Sequence, residues 1–496
     1  MHPLMVITSV IVVLLTFLSE QNTYYVEAVM APCSQKGDDT EVFRVGMIIP
    51  TTSLAVSVLL AAEHAVNGNT IMKELGCFDF NITLFNSDTP ADTICSNNDA
   101  YPFVSHIQTL DIQYNSECPP ESICFPNNTL WLNDECDSSW GKPAAEAMLD
   151  DDVVAVIGPA CSGTTIAAEP VMAKDGAHVP LISPTATSSA LSNATVFPYF
   201  FRTIGPDSAQ AKAMVDIATA LNVTKAAVIA DASIYSSAFA MNIIGFLPDV
   251  GIELVTHQVV GGNQTAAQTE ALPIAIITSA MEAIASSGAE AIFNTVSCAT
   301  SKEILELAPS FNLTTSTNSN NCSIPFIMPA ANSQRAVCLP SSSSDGDGAP
   351  DTTLLATELL EGSGPAHGEF VRLRDERAET GSCDNGDPLI PYYDFAFDAL
   401  LAIAVAIRSI IASGDEVSGE SIAAAWSDPK FGFVGASGNV SFGGQMDGFT
   451  YGAHDRPTSF QIVSYENGSY VPRGFWDPRS SPTATVMNTT QTLCPA

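Results

Sequence analysis

The stretch VVAVIGPACSGTT, residues 153–165, decides how this chain is read. Residues 153–157 are all apolar, a short run without polar alternation, which is the pattern of a strand buried on both faces of a sheet. Gly158 and Pro159 end the run, and Cys161-Ser162-Gly163 forms a polar turn before helical sequence begins near Thr164. A strand that passes through such a turn into a helix leaves backbone N–H groups free at the helix start, where the helix dipole adds to their attraction for an anion. Ser162 offers a hydroxyl there, Gly163 lets a ligand approach the backbone, and Thr164 stands in the opening turn. A plainer reading is also open, in which Ser162 or Thr164 caps its own helix.

The neighbouring strand end has the same character. LISPTATSS, residues 181–189, runs from an apolar strand into a polar loop, where Thr185 and Thr187 carry hydroxyls on either side of Ala186 and the backbone offers further groups. In open parallel sheets, ligands bind beyond the carboxyl ends of the strands, so two such loops on one sheet can share one ligand. Around them the chain alternates short apolar strands (42–50, 80–85, 153–157, 179–182) with helical segments (54–75, 142–149, 164–174). A second run follows, with helices at 209–221, 239–247, 274–286 and 302–307 and strands at 226–230, 253–259 and 291–294. This rhythm implies βαβ units and an α/β fold of two lobes, each a mostly parallel sheet flanked by helices, with several chain crossings between them. Residues 392–411 form a long Ala-rich helix, and Gly-punctuated strands continue from 431. Residues 87–128 are polar and cysteine-bearing without a clean period, and are read as a disulfide-stapled insertion loop. Residues 341–350 are a low-complexity loop, and the tail after 478 is Ser/Thr-rich and loose.

Composition narrows the function classes. The 496 residues hold 54 acidic and 18 Lys or Arg residues, for a formal net charge of −36. Phosphate backbones require clustered cations, so nucleic acid is excluded as a partner, and docking on an anionic membrane surface is disfavoured. Residues 4–18 are apolar and uncharged, and a stretch ending in Val29-Met30-Ala31 follows, so 1–31 reads as a signal peptide of a secreted chain. Left uncleaved, the same run would serve as a membrane anchor. All twelve cysteines follow it, and ten Asn-x-Ser/Thr sequons occur at Asn81, Asn127, Asn193, Asn222, Asn263, Asn312, Asn321, Asn439, Asn467 and Asn488. Both features fit an oxidising compartment and N-glycosylation. No nucleophile elbow, His-Glu-x-x-His, paired Cys-x-x-Cys, P-loop or dinucleotide fingerprint is present, so neither an enzyme, a metal site nor a cofactor is expected.

VIGPACSGTT, the following AAEPVMAKDGAHVPLISPTATSSALS, and then FPYFFRTIGPDS resemble type I periplasmic binding proteins in sequence and order. They look like branched-chain amino-acid-binding proteins and the Venus-flytrap ectodomains of class C receptors. YYDFAFDALLAIAVAIRSII (392–411), FVGASGNVSF (433–442) and FQIVSYENGSYVPRGFW (460–476) are similar to later parts of the same family, with metabotropic GABA receptor ectodomains the nearest in pattern.

The resemblance implies lobe 1 at 42–205 with an insertion near 88–128, lobe 2 at 206–360, a return to lobe 1 at 361–430, C-terminal strands on lobe 2 at 431–476, and a flexible tail at 477–496. It implies non-catalytic binding of a small carboxylate-bearing ligand, an amino acid or a GABA-like molecule, in the cleft between lobes. It leaves room for a membrane receptor partner or a homodimer. Ser162 matches the hydroxyl that holds an α-carboxylate, and Thr185, Ala186 and Thr187 match the second ligand loop. Tyr235 matches the tyrosine that closes over the ligand, with an ordinary packed tyrosine as the alternative. Ser297 joins this set from Asn294-Thr-Val-Ser-Cys298, a second-lobe stretch with no acid to meet the ligand's ammonium; Asp394 is either the substitute acid or a helix cap. The resemblance also pairs Cys136 with Cys161. The rival readings are a secreted hydrolase without a recognised motif and a degenerate flytrap serving protein interaction. Because the two ligand loops contain no acid while the chain is strongly acidic, a neutral zwitterion is favoured over a dianion.

Overall fold

The computed structural model describes residues 42–48, 109–113, 138–150, 153–174, 176–261, 273–296, 298–313, 324–329, 354–359, 362, 366–368, 370–372, 392–446, 449–466, 469–478 and 484–486. The expected signal peptide, the helix at 54–75, the strand at 80–85, the loop at 341–350 and most of the insertion lie outside them.

The first sheet contains β1 (Val42–Met47), β2 (Thr109–Gln113), β3 (Ala155–Ile157), β4 (Leu181–Ser183) and β5 (Phe200–Arg202), in the order β2-β1-β3-β4-β5. β1, β3, β4 and β5 are parallel, and β2 runs antiparallel to β1. β2 corrects the reading of 87–128 as loop. Its residues TLDIQ alternate apolar with polar, the pattern of an edge strand. Helices α1 (Gly141–Asp150) and α2 (Ser162–Met172) cover one face, where Ala144, Met148, Ala168 and Met172 pack with Val156, Leu181 and Phe200.

The second sheet has eight strands. α3 (Asp207–Ala220) leads into β6 (Lys225–Asp231), α4 (Ile234–Phe246), β7 (Glu253–Val260), α5 (Ile274–Ala285), β8 (Ala291–Asn294), α6 (Cys298–Leu307), β9 (Phe326–Met328) and β10 (Leu354–Leu359). β7, β6, β8, β9 and β10 are neighbours in that order and all parallel. The chain then returns to the first lobe. α7 (Tyr392–Ser413) and α8 (Gly419–Ser427) cover the free face of the first sheet, where Phe397, Leu400, Ile403, Ile407 and Trp426 pack with Val45, Ile157 and Phe201. α7 is long and apolar enough to cross a membrane, yet most of it is buried in this core, which is the environment its composition requires.

A hairpin of β11 (Phe433–Gly435) and β12 (Gly438–Val440) and a short pair, β13 (Gln445–Met446) and β14 (Phe449–Thr450), precede β15 (Phe460–Glu466), β16 (Ser469–Trp476) and β17 (Ala484–Val486). β15 pairs with β10, β16 with β15 and β17 with β16, so these three extend the second sheet. The segment 431–476 therefore divides between the lobes. Phe431, Phe433, Ala436 and Phe442 pack in the first-lobe core, and the strands from Phe460 onward belong to the second sheet. β17 lies in the tail expected to be loose. The chain passes between the sheets three times, after β5, after β10 and after β14.

Candidate functional site

β3, β4 and β5 are parallel neighbours, so their carboxyl ends open on one side of the first sheet. After β3 the chain turns at Gly158, whose φ is +103° and where a Cβ would collide with the Ile48 carbonyl oxygen. Only glycine fits both constraints. The turn leads into α2, whose cap residue Cys161 is extended and disulfide-bonded, and its side chain makes no capping hydrogen bond. The expected partner, Cys136, lies outside the described residues. Ser162 and Gly163 stand half-buried in the first turn.

The loop after β4 is laced to the first. The Ser183 hydroxyl donates to the Pro159 carbonyl at 2.6 Å, and the Thr185 hydroxyl donates to the Ala160 carbonyl at 2.7 Å. The Ser188 N–H donates to the Ser162 hydroxyl oxygen at 3.1 Å, which leaves the Ser162 proton for another acceptor. Thr185 is thus a brace between the loops. Ala186 is buried, its N–H bound to the Ser183 hydroxyl at 3.0 Å and its carbonyl to Arg202 at 3.1 Å. Thr187, between these anchored residues, is half-buried. Thr164 is fully buried, and its hydroxyl has no hydrogen-bond partner among the described residues.

The third strand end supplies a group that the sequence reading passed over. After β5 the chain enters α3 at Asp207, which is 1% exposed, and both its carboxylate oxygens lack a hydrogen-bond partner among the described residues. Its N–H donates to the Thr187 carbonyl at 2.7 Å. Burial raises its pKa to about 7, opposed by the Thr187 hydroxyl and then by the Arg202 charge, neither of which completes a hydrogen bond to the carboxylate. Asp207 stood inside the quoted motif FPYFFRTIGPDS, but an acid in a first helical turn normally reads as a solvated partner of the helix dipole. Its burial removes that reading, and the one hint in the sequence is the apolar run that precedes it.

From the second lobe, Ser233 caps α4 by accepting from the Ser236 N–H at 3.2 Å. This starts the helix before the expected 239 and puts Tyr235 in its first turn. Burial pushes the Tyr235 phenol well above its ordinary range, and the charges of Asp207, Tyr392 and Asp231 push the same way. Tyr235 therefore shares its surroundings with Asp207 on the first crossing and Tyr392 at the start of α7. Asn242, two turns along α4, donates to the Ser189 hydroxyl of the second loop at 2.7 Å, a direct bond between the lobes.

Of the remaining expected residues, Ser297 lies outside the described residues, beside the buried Asn294, Thr295 and Val296. Asp394 is engaged elsewhere: both its oxygens lie 3.1 Å from His367 Nδ1, and one accepts the Gly362 N–H at 3.1 Å. These contacts tie the second crossing to the start of α7. Among the described residues, no group of three His, Cys, Asp or Glu could hold a metal ion.

The fold is that of periplasmic solute-binding proteins. A solute-binding protein of an ABC transporter from R. palustris, solved in complex with benzoate, aligns with a TM-score of 0.55 at 14% identity, over 90% of this chain and 98% of that one. The leucine-binding protein LivK of Thermotoga maritima aligns with a TM-score of 0.56 at 16% identity, over 88% and 98%. Among curated proteins, metabotropic glutamate receptor 6 of Oryctolagus cuniculus and of Mus musculus are each 40% identical over 81 residues. That match spans 16% of this chain and 9% of each receptor. The profile of the receptor family ligand binding region matches residues 127–463, well over half of the chain. The chain belongs to the receptor ligand-binding-region family and has the type I periplasmic binding protein fold.

Proposed function

We propose that this chain binds a small neutral zwitterion, an amino acid or a close relative, between its lobes and performs no chemical step. The ligand carboxylate takes the N-terminus of α2 and the Ser162 hydroxyl, the ligand ammonium meets Asp207, and Thr187 lies between them. Tyr235 closes from the second lobe. The observation that carries this reading is Asp207, a buried carboxylate with both oxygens unpartnered among the described residues and an N–H bound to the second ligand loop. A buried charge without a partner is costly, and a cation at that point offsets the cost. Support for a carboxylate comes from the N-terminus of α2, whose cap residue makes no side-chain capping hydrogen bond.

The setting proposed is extracellular, with residues 1–31 as signal peptide and Cys136 paired with Cys161. The four sequons within the described residues, at Asn193, Asn222, Asn312 and Asn439, are all exposed, as glycosylation requires. A membrane receptor partner and a homodimer both remain compatible with this role.

Calorimetry tests it with leucine, GABA, glutamate and benzoate, each in two buffers of different ionisation enthalpy at pH 7. With a pKa of about 7, Asp207 carries its proton in roughly half of the free molecules, so an ammonium ligand should expel that proton and the measured heat should depend on the buffer. Benzoate, with a carboxylate but no amine, should bind more weakly than leucine and without that release. Replacing Ser162 by Ala should weaken a carboxylate ligand by about 1.5–3 kcal/mol, the range for a hydrogen bond to a charged group. Absence of heat and of thermal shift with every amino compound would overturn the proposal.

A further inference from the structure

One fully buried cation sits behind the second ligand loop and takes no part in the contacts proposed for the ligand. The Arg202 guanidinium at the end of β5 is 0% exposed. Its Nη1 donates to the carbonyls of Ala186 and Ser188, both at 3.1 Å, and its Nη2 donates to the Ser192 hydroxyl at 2.6 Å. Nε and Nη2 both donate to one carboxylate oxygen of Asp455, at 2.8 and 2.5 Å. The other Asp455 oxygen accepts the Gly452 N–H at 2.9 Å. Arg202 also stacks over Phe200, 5.6 Å from the ring centroid.

The two carbonyls it holds flank Thr187. With Ala186 and Ser188 both pinned from behind, Thr187 has little freedom. Asp455 lies on the third crossing between the lobes, so the anchor of this loop belongs to the hinge. A planar, five-donor guanidinium fits four acceptor atoms of fixed direction, which a lysine ammonium does not reproduce. Five residues away, Asp207 begins the helix that follows the same strand.

We propose that Arg202 and Asp455 are positioning residues of the binding site: the buried guanidinium fixes the loop that carries Thr187, and the pair sets the charge balance felt by Asp207. Neither residue touches the ligand. The inference rests on the binding reading above for its functional meaning, but its physical content concerns the free protein. Among the described residues, the groups facing Asp207 are Arg202 from the preceding strand β5, Thr187 from the second loop and Tyr235 from α4, with Tyr392 of α7 and Asp231 of β6 facing Tyr235 in turn. Loss of the Arg202 charge should raise the proton affinity of Asp207. Loss of the Asp455 charge, which leaves Arg202 without its counter-ion, should lower it.

The test is carboxyl-carbon NMR of the full chain labelled at aspartate, titrated from pH 4 to 9 without ligand, with D207N identifying the Asp207 signal. R202Q should move the Asp207 midpoint up and D455N should move it down, each by about half a pH unit or more, and only a charge role predicts opposite directions. Leucine affinity should fall at least about tenfold in both variants, while R202K should recover the midpoint but little of the affinity. If R202Q does not fold, the nearly isosteric D455N decides alone. A midpoint unmoved in folded D455N, or moved upward, overturns the proposal. The titration needs no ligand, so a wild-type chain that binds no zwitterion sinks the binding reading while these midpoints still decide this one.

Discussion

Asp207 is held in a state that costs the ligand-free protein stability. Its carboxyl is buried, its folded pKa of about 7 lies above the ordinary 3.8, and no neighbour among the described residues completes a hydrogen bond to it. Above pH 7 the fold must carry this charge away from water. Asp207→Asn keeps the shape and removes the charge, so the ligand-free variant should melt a few degrees above wild type at pH 8, on the scale of a few degrees per kcal/mol. The difference should shrink as pH falls towards about 4, below which the wild-type carboxyl is protonated in both the folded and the unfolded chain and the two should melt together. Amino-acid binding should fall at least about a hundredfold, because a buried charge pair is replaced by a neutral contact. A variant that melts lower than wild type at pH 8 would show Asp207 to be a structural acid. Thr185 carries the opposite lesson. From its type and place it promised a ligand hydroxyl, yet that hydroxyl donates to Ala160 and braces two loops.

Among elements, α7 connects all three crossings. The first crossing reaches it through the Thr203 hydroxyl, which donates to the Phe395 carbonyl at 2.8 Å. The second reaches Asp394 through His367 and the Gly362 N–H. The third reaches Asp398 through Arg456, 3.9 Å away. Asp398 also accepts the Ala436 N–H at 2.6 Å, the Ser437 N–H at 2.9 Å and the Ser437 hydroxyl. Burial still lifts it to about 6 against the pull of Arg456 and these hydrogen bonds. Gly435 lies so close that a Cβ there would collide with the Asp398 carboxylate. Gly435→Ala should therefore destabilise the fold by about 1–3 kcal/mol, the usual cost of overpacking, seen as a lower denaturation midpoint. An unchanged midpoint would show that the β11–β12 turn moves away freely.

α7 itself was legible in the sequence because twenty residues of Ala-rich periodic sequence leave little choice, and β3, β4, β6 and β8 were legible as apolar runs at strand length. β5, β9 and β10 were not read as strands, and their place is fixed by their neighbours in the sheet. α4 was read five residues late because Ser233 and Tyr235 look like loop sequence until the Ser233 cap is seen. The loops at 158–165 and 183–189 were legible as strand-to-helix turns from their punctuation, whereas the buried Asp207 and Arg202 depend on burial, which punctuation does not report.

At the scale of the whole molecule, two lobes meet across a hinge rich in buried charge. The Asn242–Ser189 bond joins them directly at the loop after β4. Asp207, Glu169 and Asp398 all have folded pKa values raised by burial, to about 7, about 7 and about 6. For such acids the sign of the linkage is fixed. Below the unfolded values, near pH 4, both states hold the proton and the groups contribute nothing. As pH rises, the unfolded chain ionises first, and the fold loses stability until about pH 7, where the loss is complete. The net charge of −36 adds self-repulsion in the same direction. The melting temperature of the free protein should therefore fall as pH rises from 5.5 to 8, when followed by calorimetry at constant ionic strength. A bound ammonium should draw Asp207 back towards ordinary acidity and remove its share of that slope, so saturating leucine should raise the melting temperature more at pH 8 than at pH 5.5. A ligand-induced shift that is larger at pH 5.5 would mean that the ligand prefers the protonated site, and the ammonium would then have to lie elsewhere than at Asp207.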